Sequence, residues 1–414
     1  MRSARYKRGL GRAACVCLVA LAACGKKAEP EADVQAVKDP PPIEVAARMA
    51  LRPGALAVAA NGDIFVSIEL PKENEPRMAR IGADGTLRPF PNADWNRPLL
   101  DGAGDKDALV SVSGVDIDPG GVVWLLDRGR GGEADGAPAS GRKLVGWRTD
   151  TDSLAGVFLL DDLSEPGSDL NDLAVDAKHD AIYITDGGLK NGATPAIIVV
   201  HRREGTGRRV LINDPRLRPE DLDLRVGGRV LEEQAPEGAR PVRLGVSAIA
   251  VDPAYEWAYF SSVSGEAIYR AATPDLLNHT LSTFQIGARV QLYGVKALGD
   301  GLDVAPGGVI YSADVNSRSI GRTSPDGAYT PLVTDARLLW PRGVDAAPDG
   351  RVYASVAQLH KAPAWNGGIE AGAPPYYILR FDPPPLPPIE TQTALRGGVA
   401  EGVGGASDDR PPAP

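Results

Sequence analysis

Histidine and cysteine are scarce in this chain of 414 residues: 4 His and 3 Cys. So few histidines argue against a His-rich metal site. The sequence has no G-x-S-x-G elbow, no P-loop and no H-E-x-x-H, which removes three familiar hydrolytic and nucleotide-binding chemistries. A basic excess is missing as well. Lys and Arg number 45 against 54 Asp and Glu, for a net charge of -9. That balance excludes the electrostatic footprint of a nucleic-acid binder. Helical heptads are absent. Gly (48) and Pro (36) are plentiful, and they favour many turns over long helices.

Residues 1–24 have the shape of an export signal. Arg2, Arg5, Lys7, Arg8 and Arg12 precede an apolar run, Ala13 to Ala23, that is too short to anchor stably across a bilayer. The run ends Leu21-Ala22-Ala23-Cys24-Gly25, which resembles the lipobox of bacterial lipoproteins. That resemblance implies lipidation at Cys24 and an exported protein, either an envelope lipoprotein (outer membrane or periplasm) or extracellular. Cys15 and Cys17 fall in the discarded segment, so no disulfide supports the mature domain. Residues 25–42 read as a charged, Pro-rich tether and 383–414 as a disordered Pro/Gly-rich tail.

Between them one pattern recurs six times: an apolar strand, a tight turn, then a strand centred on an aromatic. The copies are ALAVAANGDIFVS (55–67), GVDIDPGGVVWLLD (114–127), DLAVDAKHDAIYITD (172–186), AIAVDPAYEWAYFSS (248–262), GLDVAPGGVIYSAD (301–314) and GVDAAPDGRVYAS (343–355). Third and fourth strands follow, such as KLVGWRT (143–149), AIIVVHR (196–202), RRVLIND (208–214) and TPLVTD (330–335). This predicts an all-β fold over 43–382, a six-bladed β-propeller with four-stranded antiparallel blades. IEVAARMAL (43–51) is the candidate to close the ring against YYILRF (376–381). PDLLN (274–278) is the one convincing helical turn.

Several segments resemble the royal-jelly/yellow family: LRPFPNADWN (87–96), SVSGVDIDPGGVVWLLDRG (111–129), LNDLAVDAKHDAIYITDGG (170–188), YFSSVSGEAIYRAATPDLLN (259–278), QLHKAPAWNGG (358–368) and PPYYILRF (374–381). More distantly, the blades resemble gluconolactonase/regucalcin propellers. The first resemblance implies a binder of small molecules such as amines or sterol-like lipids, or an isomerase. The second implies a lactonase holding a divalent cation.

Ligands in a propeller sit where the innermost strands begin. The residues just before the six repeats are Gly54, Ser113, Asn171, Ser247, Asp300 and Arg342. They predict a wet, hydrogen-bonding mouth. Ser113, Asn171, Ser247, Asp300, Arg342 and the nearby His360 are the candidate ligand contacts. Asp300 and Arg342 can pair bidentately, either facing a substrate or stapling neighbouring blades. Asn171 and Asp300 match the cation ligands of the lactonase-like group, and Ca²⁺ would suit such oxygens. Ser247 is a poor ligand, Gly54 supplies nothing, and Arg342 would repel a cation by roughly a kcal/mol or several; no cofactor is therefore the expectation. Asp127, Asp186 and Asp314, each closing an aromatic strand, read as turn-capping residues. His179 reads as a solvated turn residue. The functional expectation is a monomer that binds a small-molecule ligand at the channel and touches the membrane only through its lipid; the alternatives are a small-substrate isomerase or lactonase and an envelope scaffold.

Overall fold

The computed structural model describes residues 37, 39–98, 106–129, 141–188, 193–235 and 237–386, all within one unit, Gln35–Pro414. The export segment, Cys24, most of the tether and the tail beyond 386 lie outside the described residues. Six antiparallel four-stranded sheets form the ring. The innermost strands are Pro53–Val58, Val112–Ile117, Leu170–Asp176, Val246–Val251, Leu302–Ala305 and Pro341–Ala346. Each packs on the next, and the sixth packs on the first. In blade 6 the outermost strand is Glu44–Met49, which pairs with Tyr376–Phe381 from Glu44↔Arg380 to Met49↔Tyr376. The chain's first strand thus closes its last blade, as the sequence implies.

Every blade is sandwiched between two others, so both faces of its inner strands must be apolar. That explains runs such as VVWLL rather than alternation. In blade 2, Val122, Trp124 and Leu126 pack against blade 3, while Val123 and Leu125 pack against blade 1. The repeated aromatics Phe65, Trp124, Tyr183, Tyr259, Tyr311 and Tyr353 are all buried. Each lies in a different interface, reaching the following blade. Polar tips find partners in the inner hairpin: Tyr183 donates to Asp176 (3.0 Å) and Tyr353 to Asp349 (2.8 Å). The hairpins turn through a residue of positive φ, as at Gly121 (77°) and Gly350 (83°); Tyr255 takes that region in blade 4 at 58°.

Three features lie beyond the repeat. A second short helix, Thr283–Gly287, follows Thr273–Leu277, started by a capping box between Ser282 and Gln285. Two small hairpins, Arg225–Val226 with Arg229–Val230 and Glu232–Ala235 with Gly238–Pro241, interrupt the path from blade 3 to blade 4. Together with residues 357–365 they build an apolar cap, in which Leu224, Leu231, Val242, Val263, Leu298, Val315, Trp340 and Ala357 cluster.

Candidate functional site at the propeller axis

The predicted ring exists, and its polar groups are engaged with each other. Arg342, 5% exposed, lies across the axis. Its Nη1 donates to Asp300 Oδ1 (3.1 Å), and Nη2 to the carbonyls of Ser113 and Asn171 (3.3 Å each). Its Nε lies 3.7 Å from Glu69 Oε1. Asp300 also accepts from Ser247 Oγ (2.6 Å) and Trp340 Nε1 (3.3 Å). One guanidinium and one carboxylate therefore connect all six blades. Burial opposes the charge on Arg342, but Asp300, then Glu69 and Asp172, outweigh it and hold its pKa above the ordinary value. The pair meets through one contact rather than the expected fork, because Asp300 divides its oxygens among three donors. Ser113 donates to Leu170 O (2.8 Å) and Asn171 Nδ2 to Asp169 O (3.1 Å). Ser113, Ser247 and Asp300 are buried, and Trp340 stacks on Trp365 at 5.1 Å above them. The expected wet mouth is a sealed hub.

This arrangement does not fit the divalent cation implied at Asn171 and Asp300. The Asp300 oxygens already serve three donors, and a guanidinium stands where the ion would be.

Deeper along the axis lies a polar cavity of about 100 Å³, lined at one end by Arg342. Asp116, Asp172, Asp303 and Asp345 face it. Each ties its blade to the next one round. Asp116 accepts from Ile117 N and from Val175 N of blade 3 (2.8 Å). Asp172 accepts from Leu173 N and from Ile249 N of blade 4 (3.3 Å). Asp303 accepts from Val304 N and from Ala346 N of blade 6 (2.8 Å). Asp345 accepts from Val58 N of blade 1 (3.2 Å), and among the described residues no hydrogen bond reaches its other oxygen.

Burial dominates the protonation of all four. It pushes Asp116 up to about 7, with Asp303 adding to the rise against the pull of the Val175 amide. It pushes Asp172 up to about 8 against the attraction of Arg342, and Asp303 up to about 6. Asp345 is raised well above the carboxylate range by burial and by Asp303. These four carboxyls, with Glu69, are what sequence reasoning missed. Three of them had a signal: Asp116, Asp303 and Asp345 occupy the same place in the repeats GVD, GLD and GVD. Asp172 stands two residues earlier in its repeat, on the same strand face.

His360 does not line this cavity. It sits on the capping segment Leu359–Lys361, with Nδ1 buried and unpartnered. Burial, then Lys361, Arg318 and Arg52, push its pKa down to about 4. Asp127 accepts from three backbone amides and from Lys143 (2.8 Å, both side chains fully buried). Asp186 accepts from Asp169 N, and Asp314 from Ser317 N. All three are therefore architectural. His179 bonds Asp176 at 2.8 Å.

Fold and axis define a six-bladed β-propeller with an acidic central cavity. The chain belongs to the major royal jelly protein family, whose profile matches residues 110–336. No curated protein matches it. Similar solved structures include regucalcin, a calcium-binding protein of Agrobacterium tumefaciens (15% identity, TM-score 0.49, covering 82% of this chain and 94% of that one). A gluconolactonase of Xanthomonas campestris is 16% identical at TM-score 0.49, covering 85% and 97%. Virginiamycin B lyase of Staphylococcus aureus is 11% identical at TM-score 0.45, covering 82% and 99%.

Proposed function

We propose that this protein binds a small organic ammonium ion in the axial cavity, against Asp345, Asp303 and Asp116. The observation that carries the reading is four carboxyls and a single guanidinium around one cavity. Ionised, those carboxyls outnumber the one positive charge, and a cation supplies the missing charge. Size sets the ligand class. A cavity of about 150 Å³ holds a benzene ring, so about 100 Å³ suits only a few heavy atoms. The small polar ligand expected from the ring fits that volume; an aromatic or sterol-like one exceeds it.

Asp345→Asn is the cleanest test, because an amide oxygen still serves the Val58 N–H. Calorimetry with ethanolamine should show uptake that strengthens as pH rises from 5 to 8, with protons released, and the variant should lose it. No heat at pH 8, or undiminished uptake by Asp345→Asn, overturns the reading.

A second reading, proton-transfer catalysis, is favoured by one observation: Asp303 at about 6, Asp116 at about 7 and Asp172 at about 8 exchange protons near neutrality. It predicts deuterium incorporation into a small carbonyl compound that Asp116→Asn abolishes. The exported, lipid-anchored state is likewise proposed, resting on Cys24 and its context. Labelling with a radioactive fatty acid should vanish in Cys24→Ala; persistence refutes it.

A further inference from the structure

The scarcity of histidine argued against a metal site, yet folding brings two of the four together on the rim. His201 ends the third strand of blade 3 (Ala196–His201), and Glu204 lies in the turn after it. His279 lies beyond the helix Thr273–Leu277 of blade 4. One ligand atom from each of the three falls within 4.8 Å of the other two, and no other such group exists among the described residues. The imidazole rings face each other with centroids 4.8 Å apart, tilted by 34°. His201 Nε2 is buried and meets no hydrogen-bond partner, a state that costs about 1–3 kcal/mol unless something fills it.

The neighbouring elements hold this geometry. Arg208 of the following strand donates Nη2 to the carbonyls of Leu276 (2.7 Å) and Asn278 (2.8 Å), and Nη1 to that of Leu281 (3.4 Å). It clamps the loop carrying His279 onto the hairpin carrying His201 and Glu204. Asn278 Oδ1 fixes the turn by accepting from Thr280 N and Oγ1. The guanidinium is thus committed to carbonyls.

We infer that His201, Glu204 and His279 form a binding site for a divalent transition-metal ion that ties the rim of blade 3 to blade 4. Two imidazoles and a carboxylate suit Zn²⁺, Co²⁺, Ni²⁺ or Cu²⁺, whereas Ca²⁺ and Mg²⁺ prefer oxygen shells. Around a tetrahedral ion with bonds of about 2.1 Å, ligand atoms stand about 3.4 Å apart. The contraction needed is small: Glu204 and His279 are exposed, and Glu204 accepts only a long bond from Thr206 Oγ1 (3.4 Å). The fourth position opens to solvent.

The test titrates the metal-free, untagged protein with Co²⁺ followed by its ligand-field absorption, and with Zn²⁺ followed by thermal unfolding. One Co²⁺ per chain should give a four-coordinate spectrum, displaced by Zn²⁺. Zn²⁺, but not Ca²⁺, should raise the melting temperature. His279→Ala and Glu204→Gln should lose both signals while melting as the parent does without metal. Asp345→Asn should keep them. No Co²⁺ spectrum, or one that survives His279→Ala, overturns the site.

Discussion

Arg342 is where a single side chain decides most. Its guanidinium is buried, its partners come from four other blades, and the fifth, blade 4, is reached through Ser247 on Asp300. Removing it leaves Asp300 buried without its counter-charge, while Glu69 keeps Arg128 at 3.2 Å. Arg342→Met should therefore destabilise the fold by about 3–5 kcal/mol in urea titration, and Arg342→Met with Asp300→Asn should recover part of the loss. Equal damage from both would show that the charge pairing is not what matters. The axial carboxyls set a pH dependence of opposite sense to the usual acidic residue. Their folded pKa values lie above the unfolded ones, so between about pH 4 and 8 the folded state holds more protons than the unfolded chain. Stability therefore falls as pH rises through that window, by up to about 1.4 kcal/mol per unit for each carboxyl. Asp116→Asn should flatten the slope in denaturant titrations from pH 5 to 8; an unchanged slope sinks the assignment.

At the scale of strands, the narrow axis demands residues without side chains. A methyl placed on Gly301 would come within 2.6 Å of the Arg342 carbonyl and 2.9 Å of Val344 N. Gly343 is equally pressed, with Leu56 N at 2.9 Å. Both obstacles are backbone and cannot rotate away. Gly301→Ala should cost about 1–3 kcal/mol and loosen blade 5 against blade 6, measurable as faster amide exchange at Ala346. Strand identity was legible because two-sided burial writes continuous apolar runs into the sequence. The second helix escaped: as short as the first, it lacks the proline that opens that one, and only its Ser282–Gln285 capping box marks it. The two hairpins escaped too. Their residues are mostly exposed or half-exposed, so no core-facing pattern marks them.

For the whole molecule, closure is the governing event. The strand Glu44–Met49 adds a covalent tie between the first and last blades, which otherwise meet through packing and hydrogen bonds such as Val58 N to Asp345, and Met49 and Val45 pack into the interfaces flanking blade 6. Losing the buried Met49 and the half-buried Val45 is worth about 2–5 kcal/mol. A chain starting at Leu51 should melt about 3–7 °C lower, with protease cutting first near Tyr376–Phe381. Undiminished melting would mean that the ring holds without its outer strand.

The sequence by itself determined the repeat, the number of blades, the closing strand and the residues at the entry of each innermost strand, because each follows from periodicities and turn chemistry acting within a few residues. It also displayed Asp116, Asp303 and Asp345 at one repeated place. Only the tertiary structure decided what those residues do. Hydrogen-bond saturation of Asp300, the reach of Arg342 across the ring, the Trp340 cap and the meeting of His201 with His279 all depend on distances between blades. Charge and burial at the axis are properties of six strands at once, and no single segment of chain encodes them.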